Sequence, residues 1–188
     1  NIQYSEGFVT GLTTHNSHLI VQRGVFGVEI YDLSTQKLSQ SLDISAGFKP
    51  FRIAGDKLYV LGDTLSSISL PSGDEQWSTN IPEDVNTPPT IGEDGVLFGT
   101  KSGLIYGYDV DTGNELWESS VDGVISTSLQ LYNGSVWVAS ERGGLSAFDE
   151  TTGELIYTEE SSPDFQFAIQ DGILLDSERD RAYEIQGL

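Results

Sequence analysis

The sequence predicts an all-β chain, a five-bladed β-propeller of four-stranded antiparallel blades, and three observations predict it. One segment recurs at a step of forty residues: Gly73, Gly113 and Gly153 keep that spacing, and so do Trp77, Trp117 and Tyr157. Short apolar runs rich in β-branched and aromatic residues lie between the copies, each flanked by turn residues. No window of ten or more residues carries a convincing 3.6-residue apolar period, so helices are expected to be absent or trivial. A fixed period near forty with four strands per unit is the pattern of propeller blades.

In chain order, "LIVQ" at 19 and "VEIYDLST" at 28–35 form the middle of the first unit. "LYVL" at 58 leads to "LSSISLPSGDEQW" at 65–77, and "VLFG" at 96 to "IYGYDVDTGNELW" at 105–117. "VWVA" at 136 leads to "LSAFDETTGELIY" at 145–157, and "ILLD" at 173 to "AYEIQ" at 182–186. Turn chemistry precedes each run: "HNS", "AGD", "EDG", "YNG" and "QDG" supply Gly or Asn able to take a positive φ. In the third unit the four strands are expected near Pro89–Ile91, Val96–Thr100, Leu104–Tyr108 and Glu115–Ser119. The blades fall at about 8–44, 45–82, 83–121, 122–161, and 162–188 with 1–7, together one domain. The last copy lacks its "G-x-E-L-W" strand, and Asn1–Tyr4 sits over "NELW" and "ELIY", with Tyr4 in the tryptophan position. The N-terminal segment is therefore expected to complete the last blade and close the ring, which removes exposed strand edges. The rival is a piece of a longer ring or arc.

Composition narrows the function. The chain has 188 residues, 37% hydrophobic, with 21 glycines and 29 acidic residues against 9 basic, a formal charge of −20. Such a surface repels phosphate backbones, so nucleic acid is not an expected partner. The charge suits a soluble acidic protein, one adapted to high salt, or one that binds cationic partners; the four lysines favour salt adaptation. No apolar run reaches the roughly 20 residues of a membrane helix. No signal pattern opens the chain and it holds no methionine, so a processed or excised piece is expected. Without cysteine there is no disulfide or thiolate chemistry, and two histidines cannot build a rich imidazole metal site.

Particular residues raise chemistry and are weighed against structure. "DVDTGNE" alternates carboxylates at Asp109, Asp111 and Glu115 around a glycine, as a calcium loop does. "DETTGE" keeps only some of those acids, "SLPSGD" loses the first and "DLSTQK" lacks the glycine, so a turn is expected instead. One large aromatic per unit is expected to pack between neighbouring blades. His15 and His18 in "HNSH" read as a solvated turn before a metal pair, and Asn133-Gly-Ser135 as a hairpin turn before a glycosylation acceptor. Arg52, Gln130 and Gln166 fall on inner strands and are candidates to line a central pore.

"GLIYGYDVDTGNELWE" and "GGLSAFDETTGELIYT" resemble the PQQ-like propeller repeat, close to G-x-L-x-A-x-D-x-x-T-G-x-x-x-W. The resemblance is strongest in the third and fourth units and covers most of the chain. It implies the propeller fold, which the family shares between quinone-dependent alcohol dehydrogenases and assembly lipoproteins of the BamB type. In the dehydrogenases an eight-bladed ring carries quinone, calcium, a catalytic aspartate and an adjacent-cysteine disulfide. This chain has no cysteine and about five units, and no residue is assigned to catalysis, cofactor or metal. The expected function is a non-catalytic, monomeric binding or protein-interaction scaffold, extracytoplasmic or at the cell surface. Its partner would be a protein or small molecule at one propeller face. The alternatives are a small glycosidase-like hydrolase with carboxylates at the pore, and a fragment of a larger surface or quinoprotein-like protein.

Overall fold

A computed structural model of the chain describes residues 8–24, 27–44, 51–81, 85–125, 127–159, 167–171, 173–176 and 181–185. Among the described residues there are nineteen strands and no α-helix, hence no helix long and apolar enough to cross a membrane. The contacts divide the chain into two compact units, Asn1–Ile81 and Pro82–Leu188.

The first unit holds two four-stranded antiparallel sheets, each strand paired to the next in sequence. Sheet one comprises β1 (Gly11–His15), β2 (His18–Gln22), β3 (Val28–Asp32) and β4 (Lys37–Leu42). Sheet two comprises β5 (Arg52–Ala54), β6 (Lys57–Leu61), β7 (Thr64–Ser69) and β8 (Glu75–Asn80). Ile20, Val28 and Ile30 of sheet one meet Phe51, Leu58, Val60, Ile68 and Leu70 of the second segment in one apolar cluster.

The second unit holds three sheets. Sheet three comprises β9 (Thr90–Ile91), β10 (Gly95–Gly99), β11 (Leu104–Asp109) and β12 (Glu115–Ser120). Sheet four comprises β13 (Gln130–Tyr132), β14 (Ser135–Ser140), β15 (Gly144–Asp149) and β16 (Leu155–Glu159). Sheet five shows β17 (Phe167–Gln170), β18 (Ile173–Asp176) and β19 (Arg181–Glu184). Strand β14 is buried throughout, and its alternation explains why. Val136 and Val138 face sheet three, with Leu97, Ile105 and Trp117, while Trp137 and Ala139 face sheet five, with Leu174. A strand covered on both faces needs apolar residues at successive positions, so these runs read as continuous rather than alternating.

The strands expected between 85 and 121 are found within one or two residues of their places. A feature invisible in the sequence is common to all four complete sheets. The pairing of third and fourth strands shifts register at Ile30/Tyr31, Ser67/Ile68, Gly107/Tyr108 and Ala147/Phe148. Such a bulge bends the outer strand and raises its local twist. It places Gln40, Trp77, Trp117 and Tyr157 opposite Ile30, Ser67, Gly107 and Ala147. Closure by Asn1–Tyr4 concerns residues outside those described.

Candidate functional site

The carboxylates that suggested a calcium loop bind their own turns. Asp109 Oδ1 accepts from the Asp111 and Thr112 amides at 3.0 and 2.7 Å and from the Thr112 hydroxyl at 2.8 Å. Asp149 Oδ1 accepts from the Thr151 and Thr152 amides at 3.0 and 2.8 Å and from the Thr152 hydroxyl at 3.0 Å. Asp32 does the same with Ser34 and Thr35. The bonds from Thr152 hold Asp149 below the usual carboxylate range, and the Ser34 hydroxyl does so first for Asp32. In each copy the turn closes in the left-handed region, at φ 77 for Gly73, 70 for Gly113 and 71 for Gly153. The first copy has no glycine there, yet Gln36 takes φ 57. A left-handed non-glycine residue costs roughly 1–2 kcal/mol, and the freer unfolded chain of glycine returns about 0.4–1 kcal/mol of that. Gln36→Gly should therefore raise the unfolding free energy by up to about 1 kcal/mol in urea titration.

In the third repeat the aromatic packs onto the turn of the following sheet. Trp117 Nε1 donates to the Glu150 carbonyl at 3.0 Å, and the Ser119 hydroxyl donates to the Gly153 carbonyl. The ring lies so close that a Cβ on Gly107 would meet it at 2.5 Å and one on Gly153 at 2.6 Å. In the first unit Gln40 occupies the equivalent register position, and its side-chain amide donates to the Ser72 carbonyl. An amide replaces the indole there and keeps the hydrogen bond to the neighbouring turn. Trp77 packs on Tyr59 with ring centroids 6.1 Å apart, and Tyr157 on Trp137 at 5.6 Å.

Among the described residues a cluster of charged side chains is buried, and sequence reasoning missed it. Arg23 Nε donates to Glu29 Oε2 at 2.9 Å, and the Tyr31 hydroxyl donates to the same oxygen at 2.8 Å. Arg23 is 4% exposed, Glu29 6% and Tyr31 1%. Glu29 and Tyr31 alternate on β3 and share a face, but Arg23 follows β2, so only the loop path brings the three together. The i, i+2 spacing of Glu29 and Tyr31 in a strand was the available signal.

Clefts open to solvent occur among the described residues of each unit. A cleft of about 420 Å³ in the first unit is lined by Gly11, Leu12 and Thr13 of β1 and by Phe51, Arg52 and Ile53 at β5. A cleft of about 340 Å³ in the second unit is acidic, with Glu93, Asp94, Asp109 and Glu150 around Leu116. Part of this acidity is structural, since Glu150 Oε1 accepts from the Glu93 amide at 3.0 Å. Of the pore candidates, Arg52 lines the first cleft, Gln130 lies half-buried at the start of β13, and Gln166 lies outside the described residues. His15 Nε2 pairs with Asp56 Oδ1 at 2.9 Å, joining the hairpin turns of sheets one and two, while His18 pairs across from Asp32 in β3. Asn133 sits in the left-handed turn between β13 and β14, with Ser135 buried at the start of β14. Among the described residues no group of three or more acids and histidines is disposed to hold a metal ion.

Comparison with known proteins places this geometry. The family model described as outer membrane protein assembly factor BamB matches residues 61–178. The outer membrane protein assembly factor BamB of Burkholderia pseudomallei is 32% identical over 115 residues, covering 59% of this chain and 29% of the relative. The crystal structure of BamB from Moraxella catarrhalis superposes with a TM-score of 0.72 at 21% identity, over 93% of this chain and 57% of that one. The computationally designed Ika8 protein superposes with a TM-score of 0.75 at 16% identity, over 94% of this chain and 58% of that one. The match thus spans less than a third of the curated relative's length. The structural likenesses establish the fold, that of β-propeller blades.

Proposed function

We propose that this chain, which belongs to the PQQ-like repeat family described as outer membrane protein assembly factor BamB, is a protein-interaction scaffold and not an enzyme. The observation that carries the reading is where the repeat's signature groups point. Asp109 and Asp149 bind their own turns and Trp117 binds the Glu150 carbonyl, so the motif serves the fold. Clefts and loops between blades are then what can meet another molecule. The Burkholderia relative is named an assembly factor, and by that likeness the partner of this chain is another protein, met outside the cytoplasm. In this reading residues 1–188 form one five-bladed domain, with Asn1–Tyr4 as the fourth strand beside β19.

Affinity capture with the immobilised chain tests the reading. A stoichiometric envelope protein, displaced by free chain, is expected. Capture of none, together with turnover of aryl glycosides abolished by substituting Glu93 or Asp94, would instead favour a hydrolase at the acidic cleft. The charge of −20 further supports adaptation to high salt. Screening over about 10 Å at 0.1 M falls to about 3 Å at 1 M. Raising KCl from about 0.1 to about 3 M should therefore lift the melting temperature by roughly 10 °C, and a flat response removes the salt reading.

A further inference from the structure

We propose that the cleft between β1 and β5 binds a short extended peptide that sets a carboxylate on Arg52 and an aliphatic side chain against Leu12 and Ile53. This rests on the scaffold reading and names the chemistry of its partner. In a chain with 29 acids and 9 bases, Arg52 is exposed and forms no ion pair among the described residues. One Nη1–H donates to the Phe51 carbonyl at 3.2 Å, which holds the guanidinium at the cleft. A guanidinium has five N–H donors in a planar fork, so a carboxylate can still be taken. Beside it Leu12 is 64% exposed and offers an apolar side chain at the cleft.

The floor of the cleft is built. Gln22 Oε1 accepts from the Phe51 amide at 3.3 Å and ties β2 of sheet one to the start of sheet two. A Cβ on Gly11 would lie 2.8 Å from that oxygen and 3.2 Å from the Phe51 ring, so the backbone of β1 runs close against this floor. Among the described residues, strands β1 and β5 are each terminal in their sheets, with a strand partner on one side only. An extended peptide can add its backbone to such an edge while its side chains fill flanking pockets. A volume near 420 Å³ falls in the range of natural ligand sites, about 300–1,000 Å³. The chain's net negative charge opposes an acidic ligand at long range, but salt screens this beyond roughly 8 Å at physiological strength. The guanidinium acts at contact.

Fluorescence anisotropy with fluorescein-labelled Ala-Val-Leu-Val-Asp, its Asn-amide counterpart and free hexanoate as competitor tests the assignment. The acidic peptide should bind the intact chain, and the amide should bind at least about tenfold more weakly, the loss of one charge-assisted contact. Arg52→Glu should weaken the acidic peptide by at least about tenfold and Arg52→Lys by less. Leu12→Asp should weaken it too. Melting temperatures of the variants should stay at the parent value, because both side chains are exposed. Equal binding of the acidic peptide to the parent and to Arg52→Glu overturns the proposal, as does hexanoate binding as tightly as the peptide. If Arg52→Glu still captures the envelope partner, the cleft assignment falls and the scaffold reading stands. If no partner is captured but the peptide binds through Arg52, the cleft stands and the scaffold reading falls.

Discussion

Glu29→Ala should cost about 3–5 kcal/mol of unfolding free energy, the loss expected when a buried ion pair is deprived of one partner. The carboxylate accepts from Arg23 and Tyr31 on one oxygen, and all three side chains are almost wholly buried. Removing it takes from the guanidinium and the phenol the carboxylate oxygen they share, in an almost wholly buried site. Against a total stability of about 5–15 kcal/mol this is enough to unfold the first unit in mild urea. The triple change Arg23→Met, Glu29→Leu and Tyr31→Phe should lie much closer to the parent, since apolar groups of similar volume need no partners. The trio also sets an alkaline limit. Burial, then the bond to Glu29, raises the Tyr31 pKa above its ordinary value of 10.0. A group with a raised folded-state value contributes stability in full below its unfolded pKa and loses it as pH rises through the folded one. Urea midpoints should thus be flat to about pH 10 and fall beyond it, and Tyr31→Phe should remove part of that fall.

Trp117→Ala should cost about 3–5 kcal/mol, in the range of large-to-small changes at buried aromatics. The ring fills the space above Gly107 and Gly153 and joins sheets three and four through Leu97, Val136 and Phe148. Trp117→Phe keeps most of the ring and loses the bond to the Glu150 carbonyl, worth about 1 kcal/mol. Gly153→Ala attacks the same contact from the other side. It places a Cβ 2.6 Å from the indole and strains a residue at φ 71. In a double-mutant cycle Trp117→Ala and Gly153→Ala should be non-additive, because removing the indole relieves the clash but leaves the backbone strain.

The forty-residue step made the four-stranded units legible, because Gly73, Gly113 and Gly153 answer to one backbone requirement and recur with it. The turn reading of "DVDTGNE" was legible for the same reason, since copies that kept only some of the acids kept the geometry. Gln40 was not legible as the counterpart of Trp117. It matches in register and hydrogen bonding but not in residue type, and period searches compare types. Gln36 hid the first turn likewise, by adopting a glycine conformation without being glycine. The Arg23–Glu29–Tyr31 group and the Arg52 cleft depend on loop paths and on which strand starts lie side by side. No spacing along the chain encodes those. Arg52 was legible only as an inner-strand residue, not as part of a cleft with Leu12.

Trp117, the signature aromatic of the third repeat, pins the outer strand of sheet three to the turn of sheet four. Hydrogen exchange of the three indole N–H groups, read by ¹⁵N-labelled tryptophan spectra, tests it most directly. The Trp117 indole proton should exchange only with cooperative unfolding of the second unit, and Gly153→Ala should speed it by roughly an order of magnitude or more. Exchange of that proton within seconds at neutral pH in the parent chain, while the backbone amides of β11 and β15 stay protected, would contradict the account.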